Sequence, residues 1–285
     1  MFMQRKIETV KTLMDAMPFI KEFRDEVVVI KYGGSAQSSD ELKAKFAQDI
    51  VLLHLVGVKV VIVHGGGNRI SQLLSDLNIP TEFIDGERVS TPEVMRVVEM
   101  VLSGEINKEI TSLLNSYGAK AIGISGKDAH FLMAKPKDEA KFGLTGRVEH
   151  VKADVIHNLL REGFIPVIAP IGADPIVGHP GYNINADLAA SFIAKEIGAC
   201  KVIFMTDTPG VLNKEKELFS TLSEAQVETL KVDGTISGGM VPKVDACLEA
   251  VDGGVEKAHI IDGRIEHAIL LELFTSEGIG TQITL

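Results

Sequence analysis

The sequence predicts an α/β fold in which helices cover a mostly parallel sheet. Three observations carry this. Short β-branched runs recur at Val27–Lys31, Lys59–Val63, Lys120–Ile124, Phe164–Ala169, Lys201–Met205 and Lys257–Ile261, with longer helical patterns between them. Each run is apolar on successive residues, as a strand covered on both faces must be. Polar and glycine-rich segments sit at strand C-termini or helix N-termini, where α/β proteins place ligands.

Taken in order, residues 1–24 form an amphipathic unit. Ile7, Val10, Met14 and Met17 recur at helical spacing with Lys and Glu between them. Two readings stay open: a helix folded onto its own core, or an arm that packs on another subunit. The strand Val27–Lys31 runs into Lys31-Tyr32-Gly33-Gly34-Ser35, and Ser38 with Glu41 fits a capping box for the next helix. The strand Lys59–Val63 runs into His64-Gly65-Gly66-Gly67-Asn68, with a helix from about Ile70. Asp85-Gly86-Glu87-Arg88-Val89 precedes a helix for which Ser90 and Glu93 fit a capping box and Pro92 suits the first turn. Phe131–Val151 breaks the alternation and reads as a β-hairpin flanking a cleft. Tyr182-Asn183-Ile184-Asn185-Ala186-Asp187 opens a helix with Leu188, Ala189, Phe192 and Ile193 on one side. Ser223 with Gln226 fits a third capping box, and Gly238-Gly239-Met240-Val241-Pro242-Lys243 opens the last long helix.

Composition sets outer bounds. A chain of 285 residues suits one large α/β domain or two lobes. With no Trp and 5% aromatics, its interior must be packed by Val, Ile, Leu and Ala. A formal charge of −10 argues against nucleic acid or an anionic membrane as partner, yet leaves room for a local pocket for a small anion. Cys200 and Cys247 read as free, reduced core residues. No apolar run reaches the ~18 residues of a membrane span. Charges at Arg5, Lys6, Glu8, Lys11 and Asp15 exclude a signal peptide, so a soluble cytoplasmic protein is expected.

The glycine segments supply backbone amides that can hold oxygen anions, and three glycines before a helix make an anion cradle. Lys31 reads either as a charge for such an anion or as a snorkelling lysine beside a tight turn. Arg88 reads as a carboxylate fork or as a solvated charge. Asp187 could serve a site or simply the helix dipole, whereas Lys243, near a helix N-terminus, opposes the dipole and is better explained by a bound anion. No Ser-His-Asp pattern, Cys/His metal spacing or convincing general base accompanies these groups. Phosphoryl transfer to a carboxylate needs little else. Such a nucleophile has a pKa near ~4.3 and is already ionised, so the task is to align two anions and neutralise charge in flight.

In this order the motifs resemble the amino-acid kinase family over essentially the whole chain. They are Lys31-x-Gly33-Gly34, His64-Gly65-Gly66-Gly67, Gly86-x-Arg88-Val89, Asn183-x-Asn185-Ala186-Asp187, Thr206-Asp207-x-x-Gly210-Val211 and Gly239-Met240-x-x-Lys243. The branch they resemble phosphorylates N-acetyl-L-glutamate. The resemblance implies an open αβα sandwich with two lobes: an N-terminal oligomerisation helix over 1–24, an N-lobe over 25–195 for the amino acid and dimerisation, and a C-lobe over 196–285 for ATP. It implies that Lys31 and Lys243 flank the moving phosphoryl group, with Asp187 holding both ammonium groups. It assigns Gly66, Gly67, Arg88 and Asn183 to the amino acid, and the amides of Gly33, Gly34 and Gly66 to phosphoryl oxygens. It assigns Gly33, Gly34, Thr206, Asp207, Gly210, Gly239 and Met240 to phosphate and nucleotide. No protein metal cage is implied, since Mg²⁺ would arrive on ATP. The terminal segments resemble the arginine-inhibited subgroup, a hexamer built as a trimer of dimers, with His267, Glu277 and Gly280 as candidates for binding L-arginine.

Overall fold

A computed structural model of the chain describes residues 2–37 and 39–285. The apolar runs pair into one eight-stranded sheet, in the order Thr221–Ser223, Thr281–Thr284, Lys257–Asp262, Lys201–Thr206, Val27–Tyr32, Lys59–His64, Ile165–Ala169 and Ala121–Ser125. All six expected strands are present, each displaced by no more than a residue at either end. Neighbours from Lys257–Asp262 to Ala121–Ser125 are parallel, and Thr281–Thr284 runs antiparallel to Lys257–Asp262.

Alternation along the strands sends side chains to two separate cores. Val28, Ile30, Val60 and Ile62 face a layer with Phe46, Ile50, Val94, Ile110 and Ile269, from the helices Asp40–Leu55, Pro92–Glu99, Asn107–Ser116 and Ala268–Leu273. Val29, Val61 and Val63 face Ile156, Ile193 and Val244, from the helices Ala153–Arg161, Ala186–Glu196 and Val241–Asp252. The result is an αβα sandwich. The expected hairpin is the antiparallel pair Leu132–Pro136 and Thr145–Val151, joined through the short helix Glu139–Phe142. It belongs to a second, four-stranded sheet on the same side as the second core.

Two cap assignments change. The helix Asp40–Leu55 is capped by Ser39, whose hydroxyl accepts the Leu42 N–H; Ser38 lies outside the described residues. The helix at Pro92 is capped by Thr91, accepting from Val94 N, because a proline at the first helical position places the cap one residue before it. Ser90 is instead buried against Thr145. The Ser223–Gln226 capping box forms as expected, and both cysteines are free.

Among its described residues, the N-terminal helix Phe2–Phe23 joins the core through Phe19 and Phe23, near its end. Phe23 is buried under the Lys201 ammonium, 4.3 Å from its ring centroid, and Phe19 packs on the first core. Ile7, Val10, Leu13, Met14 and Met17 are 39–64% exposed, so the reading of this helix as folded onto its own core holds for its end alone. Among the described residues no helix is long and apolar enough to cross a membrane.

The chain leaves the strand Val27–Tyr32 first to one side, through Lys59–His64, and later to the other, through Lys201–Thr206. This switch in direction opens a crevice at the C-terminal ends of the three strands. Gly33, Gly34, Gly65, Gly66, Gly67 and Asp207 from the loops that follow line it.

Candidate active site

Strand register brings Lys31 level with Val63 and Phe204, and Tyr32 level with His64. Lys31 therefore sits one residue before the end of the central strand with its ammonium in the crevice, 9% exposed. Its partner is Asp187, whose Oδ1 lies 2.8 Å from Lys31 Nζ, while Oδ2 accepts from Lys243 Nζ at 3.3 Å. Residues 31, 187 and 243 thus meet at one carboxylate. Burial pushes the Asp187 pKa up, but attraction to Lys31 and Lys243 outweighs it and holds the carboxyl below its ordinary value. The dipole mismatch of Lys243 is compensated by this carboxylate. The Asn185 side chain caps the same helix by accepting from Asp187 N at 2.8 Å and Leu188 N at 3.3 Å, which fixes where Asp187 starts.

Two cavities adjoin at Lys31 and Gly65–Gly67. The larger, about 570 Å³, is lined by Lys31, Gly33, Gly34, Gly66, Thr206, Asp207 and Lys243 among others. The smaller, about 230 Å³, holds Gly66, Gly67, Arg88, Asn183 and Asp187. A methyl group on Gly33 would strike the Met205 carbonyl, and one on Gly66 would come within 2.7 Å of Leu102 and 2.5 Å of Ile106. Glycine is imposed there by packing. At Gly34 and Gly67 nothing lies within 4 Å, so the neighbouring protein leaves room for a larger residue.

Arg88 is not a solvated charge. It is 6% exposed, with Nη1 donating to Thr81 Oγ1 at 2.7 Å and Nη2 donating to Ser71 Oγ at 2.8 Å and Gly67 O at 3.0 Å. Burial lowers its guanidinium pKa, and no carboxylate pairs with it among the described residues. A buried cation held by neutral oxygens and the face of Phe83, 4.6 Å away, is costly unless an anion joins it. The hairpin that carries it is tied to Asn183: Asn183 Nδ2 donates to Ser90 Oγ at 3.2 Å, Ser90 meets Thr145 Oγ1 at 2.9 Å, and that hydroxyl donates to Arg88 O. Both amino-acid candidates therefore face one cavity as a connected unit.

Three other candidates stand back from the cavities. Gly210, at φ +149°, lets its loop close on the strand Thr281–Thr284, where Thr281 Oγ1 accepts from Val211 N at 2.8 Å. Gly239 and Met240 form the single turn that leads into the helix of Lys243. Ser71 and Thr81, which hold Arg88, carried no signal in the sequence, because only folding brings them beside it.

A third cavity of about 610 Å³ lies between the last turn of the N-terminal helix and the C-terminal segment. Glu277 and Gly280 line it, with Glu22, Lys201, Lys257 and His259. His267 does not. It is the left-handed residue before the helix Ala268–Leu273, and its ring pairs with the buried Asp49.

A lysine–aspartate–lysine cluster thus lies between an anion-seeking arginine pocket and a glycine-lined cleft, and over residues 26–262 the chain matches the model described as the Amino acid kinase family. The chain belongs to that family. It is a kinase. The acetylglutamate kinase of Sulfurimonas denitrificans is 71% identical over 283 residues, covering 99% of this chain and all of that one. That of Nitratiruptor sp. is 68% identical over 281 residues, covering 99% of each. Among solved structures, N-acetylglutamate synthase from Neisseria gonorrhoeae, complexed with coenzyme A and N-acetyl-glutamate, superposes with a TM-score of 0.85 at 23% identity. The match covers 97% of this chain and 63% of the synthase, and shows the amino acid kinase fold. Carbamate kinase from Giardia lamblia bound to AMP-PNP superposes at a TM-score of 0.68 and 20% identity, over 91% of this chain and 98% of that one.

Proposed function

We propose that the chain transfers the γ-phosphoryl group of ATP to the side-chain carboxylate of N-acetyl-L-glutamate, giving N-acetyl-L-glutamyl 5-phosphate and ADP in arginine biosynthesis. The observation that carries this is the meeting of two cavities at Lys31 and Gly65–Gly67, one lined by Arg88, which has no carboxylate partner among the described residues, and the other by Lys243. Arg88 and Asn183 would take the α-carboxylate and leave the side-chain carboxylate facing Lys31. ATP would lie along Gly33, Gly34, Thr206 and Asp207, with the loops of Gly210, Gly239 and Met240 shaping the far end. A carboxylate oxygen attacks the γ-phosphorus, the bond to the β–γ bridging oxygen breaks, and that electron pair leaves with ADP. No proton moves. Lys31 and Lys243 meet the charge on the phosphoryl oxygens, and Asp187 keeps both ammonium groups aimed there.

Asp207 is the only carboxylate among the described residues lining the nucleotide-side cleft, which suits a Mg²⁺ that comes with ATP and takes most ligands from phosphate and water. Its charge would screen the phosphates.

Regulation belongs to the same reading. L-arginine would bind as feedback inhibitor in the third cavity, its guanidinium toward Glu277 and its carboxylate toward Lys201 and Lys257, beside Gly280. His267 would act there only by setting the start of the Ala268–Leu273 helix. The exposed apolar face of the N-terminal helix would pack on another copy in a hexamer built from three dimers.

Trapping the acyl phosphate with hydroxylamine tests the reaction. Hydroxamate should form with ATP, Mg²⁺ and N-acetylglutamate, far less with glutamate or aspartate, and less again when arginine is added. Folded protein that gives none from N-acetylglutamate would refute the proposal.

A further inference from the structure

His64 has a role that the transfer chemistry itself leaves unassigned. It ends the strand Lys59–His64 directly under the three-glycine loop, and it is fully buried. Its two ring nitrogens are committed in opposite senses. Nδ1 lies 3.2 Å from Gly65 O, and a carbonyl can only accept, so Nδ1 carries the proton. Nε2 lies 3.2 Å from Asn107 Nδ2. That amide is oriented independently: Nδ2 also donates to Val167 O at 2.8 Å, and Oδ1 accepts from Lys108 Nζ at 3.0 Å. The nitrogen facing His64 is therefore the donor, and Nε2 must accept. Burial pushes the imidazole pKa down to about 4, so the ring is neutral at working pH and holds this one tautomer.

The consequence falls on the next peptide group. Gly65 N donates to Tyr32 O at 3.2 Å and Gly65 O accepts from His64, so both ends of that residue are tied down. In a trans peptide the carbonyl and the following N–H point opposite ways. Drawing Gly65 C=O toward the buried ring turns the Gly66 N–H away from it, toward the crevice that Gly66 lines on both sides. No acceptor among the described residues takes that N–H. Leu102 and Ile106 close against the Gly66 Cα from a π-helical segment, Met100–Ile106, and Asn107 follows it directly. The wider π turn is thus where the loop's packing and the histidine's partner meet.

We propose that His64, with its tautomer set by Asn107, is a positioning residue that aims the Gly66 amide at the phosphoryl group in transit. The inference rests on the reaction given under Proposed function. A donor preset in this way acts on charge that develops in the transition state, so its loss lowers kcat and leaves substrate binding nearly intact.

The test uses the full chain. In wild-type protein labelled with ¹⁵N-histidine, the His64 ring should show protonated Nδ1 and bare Nε2 at pH 7 and should not titrate above pH 5. An Nε2–H tautomer, or titration near the free value, overturns the proposal. Kinetics separate donor from bulk. Asparagine places its amide nitrogen where Nδ1 stands, and glutamine places its own nearer Nε2. His64→Leu and His64→Gln should lose about 100-fold in kcat, the scale for one oxyanion donor, with KM for both substrates within about threefold of wild type. His64→Asn should recover most of the loss. Equal losses in the Leu and Asn variants would mean a packing role and sink the idea. Should the Leu variant not fold, the Asn–Gln contrast and the wild-type tautomer decide. If wild-type protein forms no hydroxamate at all, the reaction reading fails separately. The orientation is then judged by the Gly66 amide ¹⁵N shift on adding AMP-PNP with Mg²⁺, which His64→Asn must keep and His64→Gln must lose.

Discussion

Replacing Asp187 with Asn tests the site most directly, because it removes one charge while keeping the side chain's shape. Asp187 is 8% exposed and joins two ammonium groups, at 2.8 Å from Lys31 and 3.3 Å from Lys243. At an effective dielectric near 20, each attraction amounts to about 5 kcal/mol before desolvation is counted. Without the carboxylate the two lysines, within about 8 Å of each other, repel by about 2 kcal/mol at the same dielectric. Breaking a buried pair of this kind costs about 3–5 kcal/mol of stability, which denaturant unfolding would read. The turnover loss should be of order 100- to 1000-fold, because both ammonium groups lose the anchor that aims them. Nucleotide binding should move the other way. The cleft becomes more positive by one charge, so calorimetry with AMP-PNP should give equal or tighter affinity, and the ligand should stabilise the variant more than wild type. A variant within threefold of wild-type kcat, or one with clearly weaker nucleotide binding, would refute the clamp argument.

Arg88→Ala should raise KM for N-acetylglutamate by roughly 10- to 100-fold with a much smaller change in kcat, since charge-assisted hydrogen bonds of ~1.5–3 kcal/mol are lost from ground state and transition state alike. Steady-state kinetics decide it, and a fall in kcat alone would contradict the assignment. Gly34→Ala should leave unfolding free energy within about 0.5 kcal/mol of wild type yet raise KM for ATP, because its added methyl meets only the cleft. Gly66→Ala should lower stability as well, its methyl meeting Leu102 and Ile106. For His64 the folded pKa of about 4 lies below the unfolded value near ~6.5, so between these values the unfolded chain binds more protons and stability falls as pH falls. About 2 kcal/mol should be lost from pH 7 to pH 5 by this group, and His64→Asn should flatten that part of the urea-derived profile. Removing residues 1–17, which spares Phe19 and the buried Phe23, should reduce the assembly to a dimer without unfolding it. An unchanged mass by light scattering would count against the arm.

The strands were legible because a strand buried on both faces has to be a continuous apolar run, a local property. Six such runs account for the continuous parallel part of the sheet, and glycine segments after Tyr32 and His64 mark its ligand edge. The edge strand Thr221–Ser223 and its neighbour Thr281–Thr284 are not legible, being three and four residues long with few apolar positions. The capping shift from Ser90 to Thr91 follows from a one-residue rule about proline that the sequence contained but the S-x-x-E pattern obscured. Chain order also could not weigh the charges. By sequence alone Arg88 reads more readily as a solvated surface charge, and only the packing of Phe83, Ser71 and Thr81 around it buries the guanidinium.

What the sequence determined by itself was therefore the inventory: two lysines, an aspartate, an arginine and glycine amides at strand ends, in an order that points to an amino acid kinase. Tertiary structure decided their relations. It joined Lys31 to Lys243 through Asp187 and separated His267 from the cavity that Glu277 and Gly280 line. It left the N-terminal apolar stripe bare from Met3 to Met17 and set the His64 ring between Gly65 and Asn107. The physical reason is range. Strand formation and capping depend on neighbours a few residues away, whereas burial, charge pairing and the choice of tautomer depend on groups that only the folded chain brings within a few ångströms.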